Sequence, residues 1–175
     1  MIRVKEDVIL SYYRHYRNPP SLTIYEGDYK YICEDICIYK KLADDFIHKD
    51  RVAFTGVVRM EIEGKQCYLI VTDSHFNKLP KGVRRFLLYH EIGHCFQFLR
   101  CSEIDEDTLR METKGRLYGK LPISELNADA YAASILGVKK ASMALKWLAI
   151  NTDLPLLTKI ELVRRIISLE TLSKN

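Results

Sequence analysis

The chain of 175 residues lacks several features that would set its class at once. It has no apolar run near the roughly 18 continuous residues that a membrane span requires. Its opening stretch, MIRVKEDVIL, carries charge where a secretory leader would be apolar. It lacks a cysteine framework: five cysteines are scattered over Cys33, Cys37, Cys67, Cys95 and Cys101. An odd, dispersed set predicts reduced thiols and a cytoplasmic protein. It also lacks a charge stripe. Lys and Arg number 27 against 23 Asp and Glu, a net +4, and the basic residues fall in separated pairs such as Lys40-Lys41 and Arg164-Arg165. That balance argues against nucleic acid as a partner, and the missing span argues against a membrane. There is no internal repeat and no low-complexity segment.

What remains is ordinary globular composition, with 47% apolar and 29% charged residues. The length suits one domain, 1–175, with a real core. Residues 5–17 read as a helix stopped by Pro19-Pro20, and Leu22 to Tyr25 as a short strand. Tyr31 to Ile47 reads as a helix marked by Ile32, Ile36, Leu42 and Phe46. Val52 to Met60 and Gln66 to Thr72 are β-rich runs around Glu63-Gly64-Lys65, a hairpin signal. Residues 101–121 read as a polar connecting excursion. Ser124 is the expected N-cap of a helix over Glu125 to Leu136, closed by Gly137. Helices over about 139–150 and 157–171 follow, the last packing through Ile160, Leu162, Ile166 and Leu169. The expected class is α+β: a small antiparallel sheet (the hairpin, about 52–72) on an active-site helix, with a helical C-terminal half. The motif-bearing core spans about 50–137, and 138–175 is a helical extension.

The chemistry concentrates in KGVRRFLLYHEIGHCFQFLR. Val83, Leu87, His90, His94 and Phe98 recur at helical spacing, so two histidines occupy an apolar stripe. His90 and His94 stand one turn apart and point the same way, as two ligands of one tetrahedral Zn²⁺ must. Glu91 projects about 100° around the helix, beside the ion rather than onto it, where a carboxylate can act as general base toward water. Hydrolytic zinc needs a third protein ligand. Glu125 supplies it in ISELNADAYAASILG, and Asp129, one turn on, can accept the hydrogen bond from a ligand histidine's free ring N–H. Asp129 is also the alternative ligand if that helix is rotated. The bland readings are that the histidines are satisfied core residues and that Glu125 merely favours the helix dipole. Cys95 projects elsewhere and reads as packing. Tyr131, Tyr118 and His75 are candidate oxyanion donors. Gly93, costly inside a helix, predicts close approach of another backbone, and the thin, alanine-rich face of Ala128, Ala130, Ala132 and Ala133 predicts which one.

His90-Glu91-x-x-His94 followed by Glu125-x-x-Ala128-Asp129 resembles the gluzincin metallopeptidases. The lead-in Arg84-Arg85-Phe86 and the run from Glu125 to Ala132 resemble the ImmA/IrrE-like peptidases most closely, with Asp129 and Tyr131 as departures. The Asp129 form is similar also to the soluble minigluzincins and to the zinc domain of Ste24/HtpX-like proteases. The resemblance covers about residues 50–137. It implies a zinc metalloendopeptidase in which His90, His94 and Glu125 hold zinc and Glu91 activates a water at the metal. It further implies a protein or peptide substrate and, by family analogy alone, a regulatory protease acting on a repressor or other protein. The alternative is a non-catalytic zinc-binding interaction or regulatory protein. The strand near Tyr68 to Thr72 is the expected cleft wall, and as an edge it could pair with an extended substrate.

Overall fold

The computed structural model describes residues 25–26, 31–33, 36–42, 54–62, 65–100 and 121–172. Five strands form one mixed sheet: β1 (Tyr25–Glu26), β2 (Tyr31–Cys33), β3 (Ile36–Leu42), β4 (Thr55–Ile62) and β5 (Lys65–Thr72). The order is β1-β3-β5-β4, with β2 also paired to β3. The expected hairpin is present, β4 and β5 running antiparallel from Thr55↔Thr72 to Ile62↔Lys65. It sits in a larger sheet than expected, because β3 pairs with β5 in parallel from Cys37↔Cys67 to Leu42↔Thr72.

Those strands correct the helix expected over Tyr31 to Ile47 at Tyr31–Cys33 and Ile36–Leu42; the rest of that span lies outside the described residues. Its apolar marks were irregularly spaced, and the stretch YIC…ICIYKKL is rich in tyrosine and isoleucine, which suit a pleated surface. A second correction concerns the cleft wall. β5 has neighbours on both sides, so it is interior; the strand next to it, β4, pairs with β5 alone among the described residues. The helix expected over residues 5–17, the excursion over 101–121 and Tyr118 lie outside the described residues, apart from Leu121.

Four helices follow in the described part. β5 passes into a short 3₁₀ turn, Phe76–Lys78, whose first N–H is held by the Asp73 carboxylate at 2.8 Å. Helix α1 (Lys81–Arg100) then starts with the Pro80 carbonyl accepting the Arg84 N–H at 3.0 Å. Proline costs nothing there, since its missing N–H would be an orphan anyway. Helix α2 (Ile123–Leu136) starts two residues before the expected point, with Pro122 rather than Ser124 at the N-cap. Ser124 instead offers its carbonyl to Gln97 Nε2 at 2.8 Å, tying the start of α2 to α1.

Gly137 closes α2 at φ +86°, a left-handed conformation that suits glycine, and its carbonyl starts α3 (Val138–Asn151) by accepting from Lys140 and Ala141. Helix α4 (Leu156–Leu172) follows. The core gathers Phe76, Leu79, Val83 and Phe86 against Ala132, Ala133, Ala141, Leu145, Leu148, Leu162, Ile166 and Leu169. Three of the four expected core marks of α4 are buried; Ile160 is exposed instead.

Gly93 performs the role read from the sequence. A Cβ there would lie 2.8 Å from Ala128 Cα and 3.1 Å from Tyr131 Cβ. Ala128, Ala130, Ala132 and Ala133 are all buried. The two helices therefore approach backbone to backbone, which brings the ends of quite short side chains within reach of one another.

Candidate metal centre

His90 and His94 project from α1 toward α2, and Glu125, in the first turn of α2, meets them. The Nε2 atoms of the two histidines are 3.1 Å apart. Glu125 Oε2 lies 3.2 Å from His90 Nε2, and Oε1 lies 3.7 Å from His94 Nε2. Ligands about 2.05 Å from a tetrahedral ion stand about 3.3 Å from one another by simple geometry. The three observed separations bracket that edge. Among the described residues, these three side chains form a group whose donor atoms could share one ion.

Asp129, fully buried one turn beyond Glu125, takes the other nitrogen of His90: Nδ1 to Oδ1 is 2.8 Å. It therefore lies on the far side of the ring from the donor cluster. This orients His90 with Nε2 toward Glu125 and His94. His90 and His94 rings meet edge to face at 4.7 Å, and Phe86 closes over His90 at 5.9 Å.

Two residues of the site had not been singled out from the sequence. Arg165, buried on α4, reaches Asp129 through Nε to Oδ2 and Nη2 to Oδ1, both at 2.7 Å. Its Nη1 lies 2.9 Å from Glu125 Oε2 and 3.8 Å from Glu161. The signal was present: Arg165 stands in the same helical stripe as Leu162, Ile166 and Leu169, a charge among core marks. Thr55, the first residue of β4, donates its hydroxyl to Glu91 Oε1 at 2.7 Å. Nothing in the sequence pointed to Thr55.

The charges explain one another. Burial would raise the Glu125 carboxyl, but Arg165 and then His90 hold it well below the usual carboxylate range. Asp129 is lowered against the same burial penalty by the same two neighbours. Burial would lower His90, yet its hydrogen bonds to Asp129 and Glu125 push it up to about 9. His94, buried beside that cation, falls to about 3 and stays neutral. Near neutral pH and without metal, His90 is therefore favoured over His94 for the proton, and the cationic sides of His90 and Arg165 face the carboxylates of Glu125 and Asp129. Glu91 is raised by burial, partly offset by His90 and by the Thr55 hydrogen bond.

The remaining expectations sort simply. Cys95 is fully buried packing, and burial pushes its thiol up. His75 is exposed beside Asp73 at 3.7 Å and is not part of the donor cluster. Tyr131 is buried at the α1–α2 contact with its ring 5.3 Å from Phe96. No helix in the described part is long and apolar enough to cross a membrane. No protein-family model, curated protein or solved structure matches the chain.

Proposed function

We propose that this chain is a zinc-dependent metalloendopeptidase in which His90, His94 and Glu125 hold the metal and Glu91 is the general base. The observation that carries this reading is the set of separations at 3.1, 3.2 and 3.7 Å among three donor atoms, with a buried glutamate on the same helix. The donor set, two imidazoles and a carboxylate with a fourth position to spare, suits hydrolytic zinc. Zn²⁺ there would act as a Lewis acid toward a peptide carbonyl and a water.

The chain's own groups then have distinct tasks. Asp129 fixes His90 through Nδ1 and keeps Nε2 free to coordinate. Arg165 keeps Glu125 ionised and in place. Glu91 Oε1 is held by Thr55, which leaves Oε2 to take the proton of the attacking water. As the C–N bond breaks, that proton passes to the leaving amide nitrogen, and the water's oxygen stays on the new carboxyl group. A carboxyl raised by burial is suited to both halves of this transfer at neutral pH. The edge of β4, which has no partner beyond β5 among the described residues, begins at Thr55, beside Glu91, and could take an extended substrate segment through main-chain hydrogen bonds. This favours cleavage within exposed, flexible segments of proteins.

Metal content and cleavage of denatured casein test this together. Wild type should carry one zinc per chain and cleave. Glu91→Gln should keep zinc and lose cleavage, and Glu125→Ala should lose both. Cleavage by Glu91→Gln at the wild-type rate would remove Glu91 as the base. Stoichiometric zinc in a wild type that cleaves no unfolded protein would favour a binding role instead.

A further inference from the structure

Helix α4 has two apolar faces, and among the described residues only one of them is packed. Leu162, Ile166 and Leu169 face inward with Arg165. On the opposite side Leu156, Ile160, Val163 and Ile167 recur at four, three and four residues, which places them in one line along the helix. They are 72, 43, 49 and 59% exposed, and Leu157 beside them is 74% exposed. A continuous aliphatic ridge of this kind on a water-facing helix marks an interaction surface.

Charge decides what fits it. Helical geometry puts Lys159 along one border of the ridge and Arg164 along the other. The acids of the same helix are engaged by cations: Glu161 lies 3.8 Å from Arg165, and Glu170 lies 2.7 Å from Lys146 on α3. Lys139 and Lys140 add exposed positive charge at the start of α3. A second copy is a poor match, because ridge-to-ridge pairing brings basic borders together: Lys159 faces the Arg164 border of the other helix when parallel, and each residue faces its own counterpart's border when antiparallel. The ridge is also convex and holds no aromatic residue, whereas anchors of protein–protein interfaces are mostly aromatic or Arg side chains seated in pockets. A soft apolar layer under an anionic surface accepts such a ridge without a pocket.

We propose that the outer face of α4 seats the protein on an anionic lipid surface, the five aliphatic side chains entering the acyl boundary and Lys159 and Arg164 meeting the headgroups. No helix in the described part is long and apolar enough to span a membrane, but a helix lying in the headgroup layer needs only one apolar face. Such seating is independent of the metal reading. It leaves β4 and Glu91, which belong to other elements, outside the lipid-facing ridge.

Flotation of the full chain with vesicles of phosphatidylcholine, with and without phosphatidylserine, tests this. Wild type should float with the phosphatidylserine vesicles, and added salt should weaken the binding. Leu156→Ser with Ile160→Ser should bind about tenfold more weakly or worse, from the lost apolar area. Lys159→Glu with Arg164→Glu should lose the preference for phosphatidylserine. Leu156 and Ile160 are both exposed, so the aliphatic variant should melt as wild type does. Wild type that stays unbound, equal flotation of the aliphatic variant, or a solution dimer that this variant dissolves would each overturn the proposal.

Discussion

Arg165 grips Asp129 with two parallel hydrogen bonds of 2.7 Å, both partners being buried. The pair joins α4 to α2 beneath the donor cluster. Removing the guanidinium leaves two carboxylates in a buried space without their main counter-charge. Arg165→Met should cost about 3–5 kcal/mol of stability, the usual penalty for breaking a buried pair. It should also weaken zinc binding, since Glu125 and His90 lose the groups that place them. Arg165→Lys cannot restore the two-pronged contact and should recover only part of both. Chemical denaturation and zinc titration on the same samples check this; unaltered zinc affinity in Arg165→Met would show that the arginine serves packing alone.

Thr55 and Glu91 allow a prediction about rate against pH. Burial raises the Glu91 carboxyl most, and the Thr55 hydroxyl works against that rise. Thr55→Val removes the donor and should raise the carboxyl further. Since the base must be ionised, the acid limb of kcat/KM should move to higher pH, with zinc content unchanged. A limb that stays in place would mean that the hydroxyl does not govern the base.

Two glycines on α1 should respond oppositely. Gly93→Ala adds a methyl group 2.8 Å from the Ala128 backbone, where neither helix can yield without parting. Overpacking typically costs about 1–3 kcal/mol, more than the roughly 1 kcal/mol that alanine gains in helix propensity. The variant should melt lower and bind zinc less tightly. Gly82→Ala meets nothing within 4 Å and should raise stability by about 0.4–1 kcal/mol. Thermal melts of the two single variants decide the contrast.

His90 makes metal-free stability depend on pH with a definite sign. Its value rises from the ordinary 6.5 to about 9 on folding. Between those limits the folded state holds a proton that the unfolded chain has released. This contribution is therefore complete below pH 6.5 and is lost as pH rises through 9. His94, lowered to about 3, is neutral across that window and does not counter it. Zinc must displace the His90 proton, so zinc affinity should rise over the same range. Melts of chelated protein from pH 6.5 to 9 should show a decline that His90→Gln lacks. Calorimetry in buffers of different ionisation enthalpy should register the released proton.

The site was more legible in the sequence than the sheet was. Two histidines in an apolar stripe and a carboxylate pair at one-turn spacing place themselves by helix geometry alone, and Gly93 with its alanine partners named the contact that joins them. What pairs across long separations left no such local trace. Ile36 to Leu42 forms a strand because β5 lies alongside it, Tyr31 to Cys33 because β3 does, and Thr55 gains its role only through where β4 meets α1. Arg165 falls between these cases. Its position among Leu162, Ile166 and Leu169 was readable, but the resemblance stopped near residue 137 and the basic pair Arg164-Arg165 looked like surface charge. Helix α2 starts instead from the Pro122 carbonyl, which accepts the Leu126 N–H, and has no side-chain cap.

The distance along the chain between Asp129 and Arg165, 36 residues, has a consequence during synthesis. Helices α1 and α2, which carry the donor cluster, leave the ribosome before α4 does. For that interval the nascent chain carries two carboxylates meant for a buried site while their guanidinium is still in the exit tunnel. The charge balance of the cluster is complete only once α4 has emerged, because Arg165 supplies it.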